Sequence, residues 1–239
     1  MGSAASPLVY RERLATTVAR APAASGTGFP MSTLAPSSPR LVLADRVFPR
    51  SLALDAVLVV AGAALVTILA QVSIPLYPVP ITGQTLGVLL VGATLGAARG
   101  ASALALYLVL GLIGLPVYAP QDDGSHLVGM AALAAPSFGY IIGFVLSAAL
   151  VGWLSERKWD RKVLKALATF VGGSLVVFAV GLPWLAVVLG TDLATTLNYG
   201  LWPFLIGGAI KAAIAAGLLP LAWWGADRIE KRRRADADS

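Results

Sequence analysis

Cysteine is absent from the 239 residues, so the chain holds no disulfide, no thiolate nucleophile and no thiolate metal ligand. Histidine occurs once, as His126, and charged residues make up only 13%. A single histidine beside so few acids leaves no intramembrane Ser-His pair, carboxylate pair or metal cluster to propose. No GxxxxGK[ST] phosphate loop is present either, so ATP hydrolysis is not carried by this chain. What fills the sequence instead is apolar: 57% of residues are hydrophobic and the mean hydropathy is +0.80. That composition lies outside the range of ordinary soluble domains and marks an integral membrane protein.

At roughly 20 residues per crossing, this length accommodates about six spans and no sizeable soluble domain. Six apolar segments are found at 52–74, 84–98, 100–119, 136–155, 163–189 and 203–225. The expected fold is all-α, a compact six-transmembrane-helix bundle. The second segment is short for a full crossing, which implies tilt or a start inside the preceding loop. Pro183 removes a backbone donor within the fifth and predicts a kink or an early end. Residues 1–50 are rich in Ala, Ser, Thr and Pro with no span-length run, and read as a disordered basic extension. Met31 offers an alternative start, and a transit peptide is the other reading of residues 1–30. Residues 51–226 form the membrane substrate-binding domain, and 227–239 a basic tail.

The net charge of +6 could suggest nucleic acid, but its placement points to membrane topology instead. Lys and Arg are missing from 51–98, 100–156 and 166–210. Arg40, Arg46 and Arg50 precede the first segment; Arg99 follows the second; Arg157 to Lys165 lie between the fourth and fifth; Arg228 to Arg234 follow the sixth. All of these fall on one side, so the positive-inside rule makes both termini cytoplasmic in a multi-pass plasma-membrane protein. The basic tail also meets anionic membrane lipid. The outer loops then contain 76–82, 120–135 with Asp122, Asp123 and His126, and 190–202 with Asp192 and Asn198. His126 reads as a solvated loop residue, with a pH-sensitive lid contact as the alternative.

One stretch joins two apolar segments to a polar loop fixed by Pro75, Pro78 and Pro80, with Thr82, Gln84 and Thr85 offering donors and acceptors. Irregular backbone at membrane depth is tolerated where it lines a cavity or is covered by protein, so a ligand site belongs near this loop. Lys211 breaks the charge pattern from within the sixth segment, behind Gly207 and Gly208. An intramembrane lysine usually faces the bundle interior and meets a partner. It reads as an anion receptor, with snorkelling or pairing to Asp192 as the alternative. In the fourth segment, Gly139 and Gly143 alternate with Tyr140 and Phe144. The glycine spacing alone fits helix packing. Tyr140 adds a flat face and a hydroxyl that a heterocyclic ligand could engage.

The motifs IPLYPVPITGQTLGVLL, GLIGLPVYA, APSFGYIIGF and PFLIGGAIKAA, in that order, resemble those of the BioY-type biotin-binding S components of energy-coupling-factor transporters. The resemblance spans about 55–220, the whole membrane part. It implies a six-helix membrane protein that binds biotin from the outside. Such proteins release biotin inward with a transmembrane coupling subunit and two ATP-hydrolysing subunits. No catalytic role, cofactor or nucleic-acid partner follows from it. The family motif usually reads GDxxK where this chain has GGAIK, so Lys211 falls on the binding lysine and Gly208 replaces the acid. Asn198 or Asp192 could supply the missing acceptor. The substrate-binding set is therefore Thr82, Gln84, Gly139, Tyr140, Asn198 and Lys211. A second vitamin or carboxylate as substrate, a small channel and an intramembrane enzyme remain the alternatives. Small residues Ala56, Ala63, Thr67 and Ala70 on the first segment suit either a partner helix or packing within the monomer.

Overall fold

The computed structural model describes residues 42–48, 51–121 and 123–237, with side chains through Arg228. The expected extension over 1–40, the alternative start at Met31, Asp122 and the side chains of the terminal basic run lie outside the described residues. Helices follow the apolar segments closely. They are α1 (Leu43–Val47), α2 (Leu52–Gln71), α3 (Gln84–Leu95), α4 (Ala97–Leu112), α5 (Phe138–Ser155), α6 (Val163–Leu189), α7 (Leu193–Gly200) and α8 (Trp202–Ala237). Four helical stretches, Leu52–Gln71, Phe138–Ser155, Val163–Leu189 and Leu193–Arg228, are long and apolar enough to cross a membrane by length and composition. Helices α3 and α4 are shorter, and Gly96 joins them directly with φ +88°, a conformation that suits glycine.

The first segment is apolar on every side. Ser51 caps α2 by accepting from the Leu54 N–H at 3.2 Å. Leu52, Val57, Val60 and Ile68 are exposed on it, while Gly62, Ala63, Val66 and Ala70 are buried against the rest of the bundle. A helix apolar all round suits lipid on its outer side and protein on the other. A Cβ at Gly62 would lie 3.0 Å from the Ala103 Cβ, so α2 and α4 approach through small residues. Ala63 and Ala70 therefore serve packing within the monomer, while Ala56 stays exposed.

Helices α5 and α6 form the most extensively packed pair. Glycines permit it: a Cβ at Gly143 would lie 3.0 Å from the Val177 backbone, and one at Gly139 would lie 2.2 Å from the Trp184 Cβ. Pro183 is accommodated within α6, which runs unbroken to Leu189 and ends on Gly190 with φ +63°.

Three details depart from the sequence expectations. The end of the extension expected to be disordered forms α1 over Leu43–Val47, because Val42 and Ala44 are buried and Arg99 binds the Asp45 carboxylate at 2.7 Å. The polar loop contains a two-residue hairpin, β1 (Ser73–Ile74) against β2 (Ile81–Thr82), antiparallel with Ser73 opposite Thr82. The Tyr77–Pro78 peptide within it is cis. The expected outer loop 190–202 contains α7, whose first turn Asp192 caps by accepting from the Thr195 N–H at 3.3 Å.

Candidate functional site

One cavity lies where the hairpin, the α4–α5 connection and helices α3, α5, α6 and α8 converge. Its volume of about 80 Å³ far exceeds what a single water needs on the same measure, so it has room for a small organic ligand. Val79, Pro80, Thr82, Gln84 and Thr85 form one wall. Tyr118, Gln121 and Leu127 come from the α4–α5 connection. The rest of the lining comes from Phe138, Tyr140, Ile141 and Phe144 of α5, Ser174, Val177 and Phe178 of α6, and Phe204, Gly208 and Lys211 of α8.

The polar end is a continuous hydrogen-bonded chain. The Lys211 ammonium donates to the backbone carbonyl of Thr82, 129 residues earlier in sequence. The Thr82 hydroxyl donates to Gln84 Oε1 at 2.7 Å, and the Gln84 backbone N–H donates to Thr82 Oγ1 at 3.2 Å. Gln84 Nε2 in turn donates to the Tyr107 hydroxyl. Both ends of the buried Gln84 amide are thus engaged and its orientation is set. Tyr107 has no exposed surface and does not line the cavity; it holds Gln84 from behind.

The apolar end is aromatic. Tyr140 lies edge-on to Phe178 with ring centroids 6.3 Å apart, and at 6.3 Å from Phe204 with a 30° tilt. Phe178 and Phe204 are themselves 6.4 Å apart. A flat, partly apolar bicyclic group suits such walls. Tyr140 is seated against two glycines, since a Cβ at Gly181 would fall 2.6 Å from its ring and one at Gly200 would fall 2.4 Å from its hydroxyl. Its hydroxyl, expected to be available to a ligand, donates instead to the Gly200 carbonyl at 2.9 Å.

Four of the six expected site residues, Thr82, Gln84, Tyr140 and Lys211, line this cavity. Gly139 and Asn198 do not: Gly139 faces Trp184 across the α5–α6 contact, and Asn198 is exposed on α7. Asp192 is not paired with Lys211 either; its carboxylate caps α7, and hydrogen bonds from Thr195 hold it below the usual carboxylate range. Among the described residues, no acid joins the lining. Gly208 borders the cavity beside Lys211, and a Cβ placed there would meet nothing within 4 Å.

His126 sits in the α4–α5 connection, where its Nδ1 lies 2.9 Å from the Tyr118 carbonyl oxygen and Pro120 and His126 form a bridge. Asp123 in the same loop is held below the usual carboxylate range by hydrogen bonds from Ser125. The sequence reading did not single out Tyr118, Ser174, Phe178 and Phe204 as lining residues. Ser174 and Phe178 stand one helical turn apart on the same face of α6, and that polar break in a uniform apolar run was the available signal.

Known proteins resemble this chain over most of the described residues. Residues 41–228 match the model of the BioY family. The biotin transporter BioY of Rhizobium etli is 38% identical over 156 residues, covering 62% of this chain and 80% of that protein. BioY2 of Lactococcus lactis is 34% identical over 66% of this chain and 83% of its own length. The BioY of Thermotoga maritima is 36% identical over 64% and 86% respectively. Among solved structures, the crystal structure of an S-component for biotin from an ECF-type ABC transporter superposes with a TM-score of 0.60 at 28% identity, over 70% of this chain and 89% of that one.

Proposed function

The chain belongs to the BioY family, and from that premise we propose that it captures biotin as the membrane-embedded S component of an energy-coupling-factor transporter. It is a transport subunit and not an enzyme. The observation that carries the reading is the cavity itself, whose lining combines one ammonium beside an amide–hydroxyl chain with three mutually packed aromatic rings. Biotin presents matching chemistry: a carboxylate for Lys211, a ureido group that both donates and accepts, and an apolar bicycle for the Tyr140, Phe178 and Phe204 rings. Lys211 reaches the carboxylate, Thr82 and Thr85 supply the nearby polar groups, and Gln84 sets their positions.

In this reading all six apolar helices cross the plasma membrane, with α3 and α4 as the short crossings, and both termini are cytoplasmic. The charge distribution supports that orientation. The cavity then opens outward, and a transmembrane coupling subunit with two ATP-hydrolysing subunits supplies the energy that this chain lacks. Equilibrium binding of labelled biotin to the purified chain, with riboflavin, thiamine and lipoate as competitors, tests the assignment. Tight binding displaced only by biotin is expected. Displacement by lipoate instead would assign the glycine-for-acid change at Gly208 to an altered carboxylate substrate.

A further inference from the structure

The end of the bundle opposite the cavity carries cations stacked on indoles. The Arg157 guanidinium lies 3.4 Å from the Trp153 ring centroid at the end of α5, and that of Arg228 lies 3.7 Å from Trp224 on α8. In both helices the tryptophan precedes the arginine by four residues, one turn, and both indoles are exposed, at 44% and 56%. Both helices run toward this end, and each guanidinium lies within 4 Å of its ring centroid, at nearly the same position as the indole. Indoles settle at the boundary between acyl chains and headgroups, so each stacked guanidinium is held at that boundary, within reach of lipid phosphate.

The described acids at this end are paired with other groups of the fold. Glu156 accepts from the Ala97 N–H at 2.9 Å, Asp160 accepts from the Trp223 indole, and Asp227 pairs with Arg46 at 3.4 Å. Among the described residues, no carboxylate pairs with Arg157 or Arg228; Arg157 donates only to the Trp153 carbonyl of its own helix, at 2.9 Å. Lys158, Lys162 and Lys165 add exposed positive charge in the same connection. Two planar cations, each held over an exposed ring in a positive field, favour a headgroup whose phosphate charge is not offset by a cationic choline, which the same field repels.

We propose that the Trp153–Arg157 and Trp224–Arg228 stacks form a binding rim for the phosphate of anionic glycerophospholipids. The inference rests on the membrane orientation proposed above for its leaflet, though not on biotin as substrate. The full-length chain is placed in nanodiscs containing phosphatidylglycerol and phosphatidylcholine, and retained lipids are counted by native mass spectrometry after mild detergent extraction. The wild type is expected to retain phosphatidylglycerol preferentially. Charge-assisted hydrogen bonds to phosphate are lost with the stacked guanidiniums, so Arg157→Gln/Arg228→Gln should lower that preference by at least about ten-fold, with cooperative thermal unfolding unchanged. Lys158→Gln/Lys162→Gln removes the same charge without an indole beneath it and should keep most of the preference.

Equal loss in both double variants would overturn a built rim in favour of diffuse charge. Equal retention of the two lipids by the wild type would overturn lipid as the occupant and leave the rim to an acidic protein surface. Nanodiscs expose both leaflets, so the lipid preference is read whichever way the chain is inserted, and failure of the orientation appears separately in thiol labelling of cells.

Discussion

Lys211 is the residue on which binding turns, because its ammonium is the cation of the cavity and already holds the Thr82 carbonyl. Lys211→Ala should weaken biotin binding about 10- to 100-fold, the range of a hydrogen bond to a charged group at roughly 1.5–3 kcal/mol, and should abolish discrimination against biotin amidated at its carboxylate. Equilibrium binding of the two ligands to the variant checks both. Gly208→Asp should leave biotin binding unchanged or tighter, since the site has open space where the new side chain begins. A collapse of binding in that titration would mean that the pocket is built around the glycine. Tyr107→Phe acts from behind the cavity: it leaves Gln84 Nε2 buried without its acceptor. That change should cost about 1–3 kcal/mol and lower the thermal midpoint in detergent. It should also weaken biotin binding, because Gln84 no longer holds the Thr82 hydroxyl in place.

Between elements, Arg99 does more than mark the topology of the α3–α4 connection. Its guanidinium bonds Asp45 of α1 at 2.7 Å and Asp55 of α2 at 2.9 Å, while its Nε donates to the Leu95 carbonyl at the end of α3. One side chain of α4 thus ties its helix to three others. The Asp45 side chain is 2% exposed and Asp55 41%, so most of the electrostatic loss on removing Arg99 falls on Asp45. Arg99→Gln should destabilise by about 1–3 kcal/mol, less than a fully buried pair because Arg99 and Asp55 keep contact with solvent. Limited proteolysis should then cut near α1 at enzyme concentrations that leave the wild type intact. Rigid attachment of α1 in the variant would show that its remaining contacts, the buried Val42 and Ala44 and the Arg46–Asp227 pair among them, suffice to anchor it.

At the scale of the whole molecule, the proposed orientation places the α4–α5 connection outside and the C-terminal tail inside. The absence of native cysteine makes each introduced thiol unique. In intact cells, an impermeant thiol reagent should label Ser125→Cys and spare Ser239→Cys until the membrane is opened. The reverse pattern would invert the assigned topology without touching the family or the cavity. The helices were largely legible beforehand, since hydropathy over a 20-residue window is a local property: each apolar segment contains a helix, although the third, expected over 100–119, ends at Leu112. Helix α1 and helix α7 were not legible as elements, because each is short and depends on contacts or a single cap instead of a long periodic run.

By itself the sequence determined the membrane class, the approximate positions of the apolar helices, where along the chain positive charge collects and the family motifs. These follow from composition and from residues close together along the chain. Only the tertiary structure decided which of those residues meet. It brought Lys211 to the carbonyl of Thr82, assigned the Tyr140 hydroxyl to Gly200, turned Gly139 toward Trp184 and left Asn198 on the surface. It also supplied Phe178 and Phe204 as walls of the cavity. The physical reason is that a side chain's partner is set by how helices cross and rotate against one another. Their rotation depends on small-residue contacts summed over the whole bundle, such as those of Gly62, Gly143 and Gly181, and no single segment specifies it.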